Sequence, residues 1–201
     1  LGRTSLTCAV ENDWVETARL LVTEWGVDVN RPVTVDGVER TLLSLAVIRG
    51  HTALARMLVI EGGADVDKGR IDNGATPLFT AAQEGHTEIA RLLLEHGAGV
   101  DKASNHQGLT PLFMAAHNGH TEIVRLLLER GANVDKARTD VGTTPLHIAA
   151  QYGHTELQSK EELRVGARRG EDGYDHERPM ARLVAQRLVA QVAERVDAAL
   201  D

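Results

Sequence analysis

Apolar and polar positions along this chain fall into blocks that restart at fixed steps. From Thr76 the run Thr-Pro-Leu-Phe-Thr-Ala-Ala-Gln-Glu-Gly-His-Thr-Glu is followed 34 residues later by Thr110-Pro-Leu-Phe-Met-Ala-Ala-His-Asn-Gly-His-Thr-Glu, and again by Thr144-Pro-Leu-His-Ile-Ala-Ala-Gln-Tyr-Gly-His-Thr-Glu. Each block reads as two short helices. Threonine suits the N-cap of the first, and Pro77 its first turn, where no amide donor is needed. Leu78, Ala81 and Ala82 face inward, and Gly85 ends the helix in a left-handed conformation that glycine adopts at little cost. His86-Thr87-Glu88 opens the second helix with its acid near the positive end. Leu92-Leu93-Leu94 supply its buried face, Gly97 stops it, and Val100-Asp101-Lys102 leads by an extended turn to the next threonine.

Two less regular copies come first. Thr41-Leu-Leu-Ser-Leu-Ala-Val-Ile-Arg-Gly-His-Thr precedes Thr76 by 35 residues, with Gly62-Gly63 carrying the extra one. Thr4-Ser-Leu-Thr-Cys-Ala-Val-Glu-Asn-Asp-Trp-Val-Glu precedes Thr41 by 37, the surplus falling in Arg31–Arg40, where a loop insertion does least harm. Residues 1–156 therefore read as a stack of four full units, starting near 4, 41, 76 and 110, with a partial fifth at 144. A period of this size marks units that cannot bury their apolar faces alone and must stack.

The 144–149 copy, Thr-Pro-Leu-His-Ile-Ala, resembles the ankyrin repeat signature, and the other copies repeat it in register. The resemblance implies an all-α, ankyrin-type α-solenoid with hairpin-like turns along one edge. It also implies a non-catalytic protein–protein interaction module that grips its partner with turn tips and the concave face of the first helices. Many members carry histidine after Thr-Pro-Leu and use it in a hydrogen-bond network. Here His147 keeps it, while Phe79 and Phe113 replace it with apolar bulk and should bury more surface at the cost of a polar tie. Asp28-Val29-Asn30 resembles the sequence that asparaginyl hydroxylases modify in some members, although Val22 stands where leucine is usual.

Positions that differ between units mark the candidate partner-binding surface. In the turns these are Ile71, Asp72, Asn73 and Ala75, then Asn105, His106, Gln107 and Leu109, then Thr139, Asp140, Val141 and Thr143. Near the ends of the first helices they are Gln83 and Glu84, His117 and Asn118, Gln151 and Tyr152. Four or five units with about five such positions apiece reach the roughly 20–30 residues a typical interface engages on one side. Tyr152 and His117 are the strongest anchors, since ring-bearing residues dominate interface energetics when buried.

Past the stack the pattern breaks. Lys160-Glu161-Glu162 stands where earlier units have a leucine triplet, as expected of a cap with a polar outer side. A helix from about Thr155 to Arg164 can still use Leu157 and Leu163, and residues 157–178 as a whole read as a degenerate cap and linker. From Met180 an amphipathic helix is expected over 179–201, with Met180, Leu183, Val184, Leu188, Val192, Val196, Ala199 and Leu200 on one stripe. That stripe is open to three readings: folding back on the stack, pairing with another copy, or belonging to a neighbouring domain.

Composition narrows the partners. Net charge is -7, and residues 1–156 hold 14 Lys and Arg against 20 Asp and Glu, so nucleic acid is not expected as a partner. No apolar run spans a bilayer, so no membrane partner is expected either. Aromatic content of 3% fits thin units packed through aliphatic side chains. A single cysteine, Cys8, occupies a packing slot and fits a reducing, cytoplasmic setting, the nucleus included. The chain opens almost inside a first helix and reads as a piece of something longer.

Other columns of titratable residues have structural readings. His51, His86, His120 and His154 recur once per unit, whereas zinc needs about four ligands within roughly 2 Å of one point, so neither metal nor cofactor is expected. Asp67, Asp101 and Asp135, each followed by lysine, read as a solvated edge. Nucleophile-elbow, phosphate-loop and zinc-protease motifs are missing, so the chain is not read as an enzyme. Two alternatives to a standalone adaptor remain: the substrate-recruiting arm of a larger ubiquitin ligase or kinase, or a structural assembly unit that self-associates through the 179–201 helix.

Overall fold

The computed structural model describes residues 4–148, apart from Asp36, Ile71, His106 and Leu146. The expected cap, linker and C-terminal helix (157–178 and 179–201) lie outside the described residues, as do the candidate positions Ile71, His106, Gln151 and Tyr152. In the described part, helices alternate in pairs: α1 (Ser5–Glu11) with α2 (Val15–Thr23), α3 (Leu42–Arg49) with α4 (Thr52–Ile60), α5 (Pro77–Glu84) with α6 (Thr87–Glu95), and α7 (Pro111–His117) with α8 (Thr121–Glu129). The chain forms two compact units, one ending at Pro111 and the other beginning at Leu112.

Within the first unit, first helices pack on first helices and second helices on second. α3 lies against α1 and α5, and α4 against α2 and α6. The residues between them are small or aliphatic and almost wholly enclosed, among them Ala9, Ala46, Ala81 and Ala82 of the first helices and Ala55, Leu58, Ala90 and Leu93 of the second. Alanine at these contacts lets two helix backbones come close, and the leucines fill what remains. The second unit repeats the selection, burying Leu112, Phe113, Ala115 and Ala116 from α7 and Ile123, Val124 and Leu126–Leu128 from α8.

The first helices α1, α3 and α5 each start on a threonine whose hydroxyl accepts an orphan amide. Thr4 accepts from Thr7 N at 3.2 Å, Thr41 from Ser44 N at 3.0 Å and Thr76 from Phe79 N at 3.1 Å. Thr144 repeats the contact with His147 N at 3.2 Å. Helix ends are equally regular. Gly50, Gly85 and Gly119 take φ of 71°, 80° and 77°, and the amide after each donates back five residues, as His51 N does to Ala46 O at 3.0 Å. In the earliest copy Asp13 stands in that slot at φ 57°, and Trp14 N still closes on Ala9 O at 2.9 Å.

The Arg31–Arg40 surplus is more ordered than a loop insertion. It forms an antiparallel hairpin, β1 (Val33–Val35) with β2 (Val38–Arg40), in register Val33–Arg40, Thr34–Glu39 and Val35–Val38. Val33 and Val35 are buried on one face while Thr34 points out, the alternation expected of a half-covered strand. No helix among the described residues is long and apolar enough to cross a membrane.

Candidate functional site

The turns that carry the variable positions are closed by backbone hydrogen bonds, and in two of them an Arg–Asp pair adds to the closure. In the turn from Arg70 to Ala75, Arg70 N donates to Ala75 O at 3.0 Å and Gly74 N to Arg70 O at 2.8 Å. Across its top the Arg70 guanidinium grips Asp72 with two bonds, Nε to Oδ1 at 3.1 Å and Nη2 to Oδ2 at 2.5 Å. Two units on, the same device recurs. Arg138 N donates to Thr143 O at 2.9 Å, and Arg138 holds Asp140 through Nε at 3.0 Å and Nη2 at 2.6 Å. The Arg138 guanidinium also lies 5.8 Å from the centre of the Phe113 ring.

Electrostatics follow from that grip. Burial on its own pushes the Asp72 carboxyl up, but the hydrogen bonds and charge of Arg70 outweigh it, and the group titrates below the ordinary carboxylate value. Asp140 is held down chiefly by its hydrogen bond to Arg138. At neutral pH both tips therefore present compensated ion pairs.

In the intervening turn Ser104 N donates to Leu109 O at 2.9 Å, and Asn105 N reaches across to Asn73 O of the preceding turn at 2.8 Å. A Cβ on Gly74 would come within 2.6 Å of the Asn105 side chain, so glycine is required there for the two turns to touch. Gln107 sits at φ 62° beside Gly108 at φ 64°, two left-handed residues in succession. Such a turn favours Asn-Gly, and glutamine holds it at a cost in strain.

The other variable positions divide by exposure. Asp72, Asn105, Gln107, Thr139, Asp140 and Val141 are exposed at the tips, and Gln83, Glu84, His117 and Asn118 are exposed at the ends of α5 and α7. Asn73, Leu109 and Thr143 are half-buried, and the Asn73 side chain is occupied in accepting from Ala75 N at 3.0 Å. Ala75 is buried, so it shapes the turn from inside and offers a partner nothing. Gln83 Nε2 donates to Glu84 Oε1 at 2.9 Å, and His117 Nδ1 lies 2.8 Å from Asn118 Oδ1, so these end pairs present ordered polar groups.

At Asp67 the structure corrects the reading of a solvated edge, while Asp135 and Lys136 are exposed. Asp67 accepts from Gly99 N at 2.9 Å and pairs with Lys102 at 3.3 Å, both in the following repeat. One repeat earlier, Asn30 occupies the equivalent place. Its Oδ1 accepts from Asp65 N at 2.8 Å, its Nδ2 donates to Gly63 O at 3.1 Å, and Lys68 Nζ donates to its carbonyl at 2.8 Å. These side chains are clamps between successive repeats, and the amide of Asn30 is occupied at both ends.

The histidine column is likewise part of the frame. His51, His86 and His120 sit at the N-cap positions of α4, α6 and α8 without capping them through their side chains. The His86 ring lies over Gly50, where an added Cβ would meet its Cε1 at 2.8 Å. At the position after Thr-Pro-Leu the expected exchange is visible. His147 Nδ1 lies 2.7 Å from the Thr144 hydroxyl, whereas Phe79 and Phe113 are buried. Sequence reasoning missed that Thr7 and Ser44, in the same slot, restore the tie: their hydroxyls meet those of Thr4 and Thr41, each at 2.9 Å.

Residues 32–104 and 99–159 match the family model described as ankyrin repeats (3 copies), a span of well over half the chain. No curated protein matches it. The Thr4 copy precedes the matched span, yet its capping threonine and helix-ending bond repeat those of its successors. Helix pairs, capping threonines, left-handed glycines and cross-linked turns thus agree with the match, and the chain belongs to the ankyrin repeat family, an all-α solenoid class whose members are generally protein-interaction modules and typically non-catalytic.

Proposed function

We propose that this chain is a non-catalytic adaptor that binds one partner protein through its turn tips and the exposed ends of its first helices. The observation that carries this reading is the division of labour within each repeat. Most positions shared between copies are buried or tied into caps and clamps, while most positions that differ are exposed on hydrogen-bonded turns. Turns whose backbones are already hydrogen-bonded have less conformational freedom to lose on association, which favours affinity. The compensated pairs Arg70–Asp72 and Arg138–Asp140 favour a partner that brings hydrogen-bonding and apolar groups, Val141 and Leu109 offering the apolar ones.

The test is affinity capture from the native cell with wild-type chain against a chain carrying His117→Ala and Tyr152→Ala. The expected outcome is loss of a specific partner with an unchanged melting temperature. Equal capture by both chains would overturn the assignment. A reducing intracellular setting goes with this proposal, since Cys8 is the only cysteine.

A further inference from the structure

Asparagine followed by glycine is a chemically weak pair. The glycine amide nitrogen can attack the asparagine carboxamide carbon and close a succinimide ring, since no side chain on the glycine stands in the way. The chain holds two such pairs, Asn73-Gly74 and Asn118-Gly119, in different surroundings. At the first, both residues are half-buried and both reacting groups are engaged. Gly74 N donates to Arg70 O at 2.8 Å and so keeps its proton, while Asn73 Oδ1 accepts from Ala75 N at 3.0 Å. Asn105 N also donates to the Asn73 carbonyl at 2.8 Å. Turning the side chain and the peptide toward each other breaks all three bonds.

Asn118-Gly119 follows α7, and both residues are exposed. Gly119 N donates to Ala116 O at 3.4 Å, beyond the ordinary range for such a bond, so its proton is weakly held. A Cβ on Gly119 would meet nothing within 4 Å, so the peptide stands in open space. Asn118 Oδ1, an oxygen that accepts and cannot donate, takes a bond from His117 Nδ1 at 2.8 Å, which draws electrons from Cγ. The bonds that fix this helix end, Asn118 N to Met114 O at 3.0 Å and His120 N to Ala115 O at 2.9 Å, do not involve the reacting atoms. Helix ends also open more readily than packed interiors. We propose that Asn118 is a site of spontaneous deamidation and that Asn73 is protected from it. Gly119 N gives its proton to base and bonds to Asn118 Cγ; the Cγ–Nδ2 bond breaks, and ammonia leaves carrying a proton. Water then opens the ring at Cγ to give aspartate, or at the main-chain carbonyl carbon to give isoaspartate, so one water is consumed and one ammonia released. Either product places a new negative charge at a helix end assigned above to partner contact. That consequence rests on the proposed function, whereas the chemistry is read on the chain alone.

The test incubates the full-length chain at mildly alkaline pH and follows both asparagines by mass spectrometry, with fragmentation that separates aspartate from isoaspartate. In the folded chain Asn118 should convert at least about tenfold faster than Asn73, the effect of the hydrogen bonds that hold the latter. In guanidinium chloride both pairs lose their surroundings, so that preference should shrink at least about tenfold. Asn118→Gln, at an exposed position, keeps the fold and should slow the gain of acidic forms seen on an ion exchanger. An Asn118 that stays intact while the denatured chain reacts overturns the proposal. So does an Asn73 that converts as fast as Asn118 in the folded chain, or a preference that survives denaturant unchanged. An Asn118→Gln chain that acidifies at the wild-type rate overturns it as well.

Discussion

The helices α2 and α6 have the same role in their repeats, and comparing them separates what the repeat code specifies from what stacking supplies. Both start one residue after a tight turn and run nine residues. Yet Leu92 of α6 is 1% exposed and Leu20 of α2, in the equivalent place, is 51% exposed. Identity of residue is therefore not sufficient for burial. Leu92 is enclosed because α4 lies against α6, and α2 has no described helix on its corresponding side. The glycine slot differs as well: Gly85 takes its left-handed φ at little cost, while Asp13 adopts φ 57° under strain.

The largest effect should come from truncating the two leucines. Leu92→Ala removes a side chain from a packed interior and is expected to cost about 2–5 kcal/mol, whereas Leu20→Ala should cost under about 0.5 kcal/mol in the monomer, both read by urea denaturation. Comparable losses would show that α2 is as enclosed as α6. Next is the turn glycine. Gly50→Ala meets both a positive φ and the His86 ring at 2.8 Å, while Gly97→Ala meets a positive φ and open space. The first should lower stability by about 1–3 kcal/mol and the second by about 1 kcal/mol, and adding His86→Ala should recover only the difference.

A smaller loss is expected at the clamp. Asp67→Ala leaves Gly99 N without its acceptor and should cost about 1–2 kcal/mol, with faster amide exchange at Gly99 as its local signature. Asp13→Gly works in the opposite direction. It should raise stability by about 0.5–1 kcal/mol by relieving a left-handed aspartate, provided the 3.9 Å approach of Asp13 to His51 contributes little. The subtlest effect is on pH. The Asp72 and Asp140 carboxyls titrate below their ordinary value of 3.8, so their ion pairs add stability above that value. The contribution is lost as acid protonates them through their lowered folded-state pKa. The Arg70 and Arg138 Nε–H resonances, distinct at neutral pH, should then converge on free-guanidinium positions while the helices persist.

Most of the fold was legible because the same residues recur in register. Thr76, Pro77, Gly85 and the leucine triplet each have one physical task, and the structure assigns those tasks. What sequence missed involves partners distant along the chain. Asp67 looked like half of a solvated Asp-Lys pair because its acceptor role depends on Gly99 N, 32 residues on. Thr7 and Ser44 did not resemble histidine, yet a hydroxyl within reach of the capping threonine performs the same bond. The hairpin could have been read: Val33-Thr34-Val35-Asp36-Gly37-Val38 places Asp-Gly between β-branched residues, a strong two-residue turn signal. Of the candidate surface, variation between copies located the tips but did not distinguish Ala75, which varies in identity yet is buried.

The clamps run both ways. The Asn30 side chain reaches forward to residues 63 and 65 and that of Asp67 to Gly99, while Lys68 and Lys102 reach back to Asn30 O and Asp67. A ribosome releases the amino end first. At these two clamps the earlier partner is synthesised first, so each clamp can close once the following repeat has emerged.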